Sequence, residues 1–144
     1  MTRMSSLTLE IGNRAQVAEL LSGDGWIVAC LCAAWCDVCR QFQPKFDALA
    51  AAHPDKRFLW IDIEDQADVV GELDVENFPT VLMQRGDSVA FYGTVLPDPN
   101  QLNRLLAAQA AKSAEDLAAE ARGQRAAWQH DCNLRLLLRE AMSG

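Results

Sequence analysis

The chain has 144 residues, half of them hydrophobic, with 20 Asp and Glu against 13 Lys and Arg and a net charge of −7. That length and apolar content fit a globular domain with a real core and exclude a disordered or fibrous chain. The acidity disfavours a nucleic-acid partner, because no basic patch would offset phosphate repulsion.

The longest uncharged apolar run, around Trp26–Trp35, falls far short of the roughly 20 residues needed to span a bilayer. The N-terminus carries no apolar stretch followed by a small-residue cleavage site. No membrane partner and a cytoplasmic location are therefore expected.

Leu7-Thr8-Leu9-Glu10-Ile11 alternates as a short half-buried strand does, and Asn13 is placed to cap a helix over Arg14–Leu21. After the turn Ser22-Gly23-Asp24-Gly25, Trp26–Cys32 is a continuous apolar run, the pattern of a central strand covered on both faces. A helix opening at Cys36 and reaching about His53 carries Phe42, Phe46, Leu49 and Ala50 on one face. Pro44 inside it removes a backbone donor and should kink it. Arg57–Ile63 reads as the next strand and Asp65–Leu73 as a short helix. Thr80–Gln84 and Ser88–Tyr92 form strands joined by a tight turn at Arg85-Gly86-Asp87, and Gly93 closes the second. Asp98-Pro99 is a cap followed by proline at the first helical position, opening a helix that buries Leu102, Leu105 and Leu106. The order β-α-β-α-β-α-β-β-α implies an α/β fold, a mixed sheet with helices on both faces.

Beyond Lys112 the pattern changes. Ser113-Ala114-Glu115-Asp116 reads as a capping box opening one long helix to about Met142, with Leu117, Ala121, Trp128, Leu134, Leu137, Leu138 and Ala141 as its apolar stripe. Gly123 is a weak point, costing roughly 1 kcal/mol against Ala. The expected division is a domain over 1–112 and a helical extension over 113–144. A helix this long must bury its stripe, either back on the domain, in a homodimer, or on a docked partner.

Four of the five cysteines (Cys30, Cys32, Cys36, Cys39) fall within ten residues, which is not how a structural disulfide framework spreads them. Cys36 and Cys39 form a CxxC between a strand and a helix, the sequence form of a redox-active dithiol. The thiolate is the nucleophile, and a free thiol near pKa 8.5 is only a few per cent ionised at neutral pH. A helix N-terminus around Cys36 favours the anion, and Cys39, one turn on, can reach the same sulfur. Cys36 would attack a disulfide and Cys39 would release the product. A zinc half-site has the same spacing, but no second CxxC or HxxxH follows. Completing a four-sulfur set would require Cys30 and Cys32 from the central strand. His130 and Cys132, two apart, do not share a helix face. Asp62, Glu64, Asp65 and Asp68 read as a solvated turn rather than a cation site.

Ala33-Ala34-Trp35-Cys36-Asp37-Val38-Cys39-Arg40 resembles the active-site stretch of the thioredoxin family, and Phe78-Pro79-Thr80 resembles that family's cis-proline loop, over roughly residues 7–111. The resemblance implies a thioredoxin fold with an added C-terminal helix, and a thiol–disulfide oxidoreductase, or protein-disulfide reductase. Cys36 and Cys39 would be catalytic, with Trp35, Phe78, Pro79 and Thr80 binding substrate and a cis bond before Pro79. Trp35 would flank the disulfide as an exposed surface residue; the plainer alternative for it is ordinary core packing. Partners would be protein disulfides and a reductase protein, with no bound cofactor. The rival is a thioredoxin-fold binding or chaperone-like module that docks a partner through the same groove and the extra helix.

Three departures stand out. Asp37-Val38 replaces the common Gly-Pro between the cysteines, and a carboxylate there opposes thiolate formation at Cys36. Cys30 and Trp60 stand where the family usually has a buried Asp and a Lys. The helix after Lys112 is not part of the family's core. Buried free cysteines mostly act as small core residues, so Cys30 reads first as packing. A second reading has Cys30 or Cys32 exchanging with the dithiol.

Overall fold

The computed structural model describes residues 6–23, 25–71, 73, 75, 77–123 and 132–143. The apolar run Trp26–Cys32 forms β2, every residue of which is buried, as a strand covered on both faces requires. It lies at the centre of a five-stranded sheet ordered β1-β3-β2-β4-β5. β1 (Leu7–Thr8) and β2 run parallel to β3 (Arg57–Asp62). β4 (Thr80–Arg85) is antiparallel to β2 and to β5 (Ser88–Thr94). Gly86 turns the β4–β5 hairpin at φ 56°, a conformation glycine adopts without a Cβ clash. β5 continues through Gly93 to Thr94, a little past the expected end.

Strand alternation divides the core in two. Trp26, Val28, Cys30 and Cys32 of β2 join Phe58 and Trp60 of β3 on one side. Ile27, Ala29 and Leu31 join Leu59 and Ile61 on the other. The first side is covered by α2 (Asp37–Ala52), through Cys39, Phe42 and Phe46, and by α4 (Pro99–Ala110), through Leu102 and Leu106. The second is covered by α1 (Arg14–Leu21), through Val17 and Leu21, and by the short α3 (Ala67–Val70). α2 runs on through Pro44. Asp98 caps α4 by accepting from Asn100 N, with Pro99 at the first helical position. Asn13 does not cap α1 with its side chain: its Oδ1 accepts from Glu10 N and its Nδ2 donates to Thr8 O, closing a 3-10 turn before the helix instead.

The extension is not one helix. α5 (Ala114–Arg122) starts with Ser113 Oγ accepting from Asp116 N and stops at Gly123, which leaves helical geometry at φ −103° and ψ −101°. Glycine has the largest backbone entropy to lose, and it breaks the pattern where the Ala-rich sequence offers little packing to hold a turn. α6 (Leu134–Ser143) resumes after residues that include Trp128 and His130, which lie outside the described residues, as does Asp24. α5 lies against β5 and buries Leu117 with the α2-side core. α6 lies against α1 and α3 and buries Leu134 and Leu138 with the other. The two halves of the extension therefore serve opposite faces of the sheet.

A polar anchor holds α6. Gln84 of β4 is fully buried, its Nε2 donating to Gly86 O and Asn133 Oδ1, each at 2.8 Å. Leu134 N donates to Gln84 Oε1 at 2.8 Å, and Asn133 caps the helix by accepting from Leu136 N. No described helix is long and apolar enough to cross a membrane.

Candidate active site

At the end of β2 the chain must leave the sheet and enter α2 within four residues, and two charged side chains brace that loop. Asp62, the register partner of Cys32 in β3, accepts from Ala34 N at 2.9 Å with one oxygen. With the other it accepts from Glu64 N and Asp65 N. Arg40 Nη1 donates to Ala34 O at 2.7 Å, and its other terminal nitrogen pairs with Asp37. Within the acidic turn, Asp62 holds the loop and Asp68 pairs with Arg14. Among the described residues no group of three or more His, Cys, Asp or Glu is arranged to hold a metal ion.

Cys36 is the N-cap of α2, its N–H donating to Ala33 O and its carbonyl accepting from Arg40 N. Its thiol is free and half-buried. Cys39, in the first turn of α2, is 1% exposed and faces the β2 side chains. The structure joins Cys39 to Cys32 in a disulfide, with Cα atoms 5.8 Å apart, rather than to Cys36. Cys30 lies beyond, its sulfur 3.9 Å from that of Cys32. Burial pushes the Cys30 thiol's pKa up, so it stays protonated. Cys30 and Trp60, the two departures from the family pattern, are direct neighbours across β2 and β3.

Trp35 is 62% exposed. Its ring meets Phe78 edge-on at 5.6 Å between centroids, one of the arrangements aromatic quadrupoles prefer. The Phe78–Pro79 peptide is cis. Pro79 is buried, Phe78 is half-buried, and Thr80 Oγ1 donates to Asn77 O at 2.6 Å. Val95 N donates to Pro79 O. Two motifs about forty residues apart in sequence thus meet through Trp35 and Phe78.

The sequence motifs single out Trp35, Cys36, Cys39, Phe78, Pro79 and Thr80, give no role to Arg40, and leave Asp62 as part of a solvated turn. The signal for Asp62 is its register opposite Cys32, which appears only once the strands are paired.

The thioredoxin family model matches residues 10–108. A thioredoxin H-type from Picea mariana is 32% identical over 69% of this chain and 79% of its own length. Thioredoxin-2 from Saccharomyces cerevisiae is 30% identical over 48% of this chain and 66% of its own, so the match spans just under two thirds of that relative. The crystal structure of thioredoxin from Trypanosoma brucei brucei superposes with a TM-score of 0.64 at 20% identity, over 77% of this chain and 96% of that one. That last likeness concerns the fold.

Proposed function

The chain belongs to the thioredoxin family and its chemistry is thiol–disulfide exchange; from that premise we propose that it reduces disulfides of protein substrates, with Cys36 as nucleophile and Cys39 as resolving thiol. The observation that supports this reading is the edge-on contact of Trp35, the residue preceding the free Cys36 thiol, with Phe78 of the cis-proline loop. Starting from the reduced protein, the Cys36 thiolate attacks one sulfur of a substrate disulfide, forming a mixed disulfide and expelling one substrate thiolate. Cys39 then attacks Cys36, releasing the second substrate thiolate and leaving a protein disulfide. Two electrons pass to the substrate, and the two thiol protons of the protein end on its two thiols.

Trp35 and Phe78 supply an apolar rim, and the backbone preceding Pro79 pairs with an extended substrate segment. A reductase protein would return the electrons, so no bound cofactor is required. Residues 1–112 would carry the chemistry and 113–144 would extend the domain, in the cytoplasm. A binding module would need neither cysteine, and the buried faces of α5 and α6 are occupied by the domain itself.

Insulin reduction tests the proposal, followed by precipitation of the released chains in the presence of dithiothreitol. Wild type should accelerate the reaction and Cys36→Ser should not. Equal rates for the two proteins would rule the proposal out.

A further inference from the structure

The site holds more sulfur than the two-cysteine cycle uses. Cys32 and Cys30 sit two apart on β2 and so point to the same side of the sheet, the side that α2 covers. Leu31 between them points to the opposite core. Cys39 descends from the first turn of α2 onto this pair. Its sulfur is bonded to Cys32, and the 5.8 Å Cα separation lies within the ordinary range for disulfides. Cys32 is 0% exposed and Cys39 1% exposed, while Cys36 remains half-buried with its thiol free.

We propose that Cys32 is a second resolving thiol, which takes Cys39 from Cys36 after each turnover and moves the disulfide into the core. This inference rests on the exchange cycle above. The Cys32 thiolate attacks the Cys39 sulfur of the Cys36–Cys39 disulfide. The Cys32–Cys39 bond forms, the Cys36–Cys39 bond breaks, and Cys36 leaves as thiolate. The proton lost by Cys32 is made up at Cys36. No electrons enter or leave, so no outside oxidant is needed.

Cys30 supports the step. A disulfide sulfur carries no hydrogen, so in the bonded state the 3.9 Å contact is an S–H of Cys30 donating to Cys32. Burial keeps the Cys30 thiol protonated, so it remains a donor toward Cys32 while the Cys32–Cys39 bond stands. The consequence is a change of mode. Oxidised protein with Cys32–Cys39 still presents the Cys36 thiol, but without a resolving partner, so a substrate captured there stays bound as a mixed disulfide.

Differential labelling reads the outcome directly. Fully reduced, full-length protein is given one equivalent of insulin, quenched and unfolded in acidic guanidinium, then brought to neutral pH with excess iodoacetamide, which blocks every free thiol. The monomeric fraction is then reduced, labelled with N-ethylmaleimide and sequenced by tandem mass spectrometry, with Asp-N cleavage before Asp37 separating Cys36 from Cys39. Maleimide on Cys32 and Cys39, with Cys36 carrying the first label, is the expected result. In Cys32→Ala the maleimide should shift to Cys36 and Cys39. Maleimide on Cys36 and Cys39 of wild type, or on any other pair, overturns the relay while leaving the exchange cycle intact. Insulin left unreduced with no cysteine pair oxidised removes both.

Discussion

On the α2 side of the sheet, β2 and β3 contribute Trp26, Val28, Cys30, Cys32, Phe58 and Trp60. On the α1 side the same two strands contribute Ile27, Ala29, Leu31, Leu59 and Ile61. From these two strands the first face takes the sulfurs and aromatic rings beside Val28, and the second takes only aliphatic side chains and is closed by α6 through the Gln84–Asn133 anchor. The difference shows how one strand can serve two ends. A period of two puts every second residue of β2 under the reactive helix and leaves the rest free to build a plain core. Chemistry on the first face should therefore respond to changes that the second face registers only as stability, and the reverse.

The largest effect is expected at Phe46, fully buried on α2. Its ring lies 5.2 Å from Phe58 and 5.7 Å from Trp60, centroid to centroid. Phe46→Ala should lower unfolding stability by about 3–5 kcal/mol, measured in urea. It should also slow insulin reduction at temperatures well below the melting point, because the helix that positions Cys39 loses its ring contacts with β3. Lost stability with an unchanged rate would separate the core from the site and break the contrast between the faces.

Next comes Gln84 on the other face. Gln84→Ala leaves Leu134 N and the Asn133 amide without their buried partner, a loss of roughly 1–3 kcal/mol. Insulin reduction measured where both proteins are folded should be unchanged. A rate that fell with the stability would show that the α6 face reaches the site.

These two residues also show what was legible beforehand. Apolar runs and turn residues located every strand and the first four helices, and two motifs at the right separation pointed to Cys36 and Pro79. Gln84 looked like one more strand residue, because its partner stands 49 positions away and no local pattern encodes that pairing. The extension read as one helix because its apolar stripe keeps a helical spacing across Gly123, whereas its two halves pack on opposite faces. Cys32 differs again: a continuous apolar run does not say which side of the sheet it faces, and its contact with Cys39 depends on how α2 lies over β2.

A smaller effect is expected at Trp35. At 62% exposed it adds little to the core, so Trp35→Ala should change stability by no more than about 0.5 kcal/mol. The loss should appear as a raised KM for insulin, since the indole is half of the rim it shares with Phe78. A destabilised variant with unchanged KM would place Trp35 among the packing residues.

The smallest effect belongs to the α1 face and depends on pH. Arg14, only 8% exposed, donates from Nε at 3.1 Å and Nη2 at 2.8 Å to Gln66 Oε1. It also forks onto Asp68 at 2.7 and 2.6 Å. Hydrogen bonding from Arg14 holds the Asp68 carboxyl below the usual carboxylate range, while the guanidinium itself stays charged throughout. A carboxylate with a lowered folded-state pKa adds stability that is complete above its unfolded value, near pH 4, and that fades as pH falls through the folded value. Wild type should therefore be slightly more stable than Asp68→Asn at neutral pH, with the gap closing in acid. Because Asp68 is largely solvated, the gap should also narrow in high salt. Melting curves of the two proteins from pH 7 to pH 3 check this: a gap that stays constant across the range would mean that the fork holds α1 to α3 by shape alone. Insulin reduction at neutral pH should not distinguish the two proteins, since the pair lies on the face away from Cys32 and Cys39.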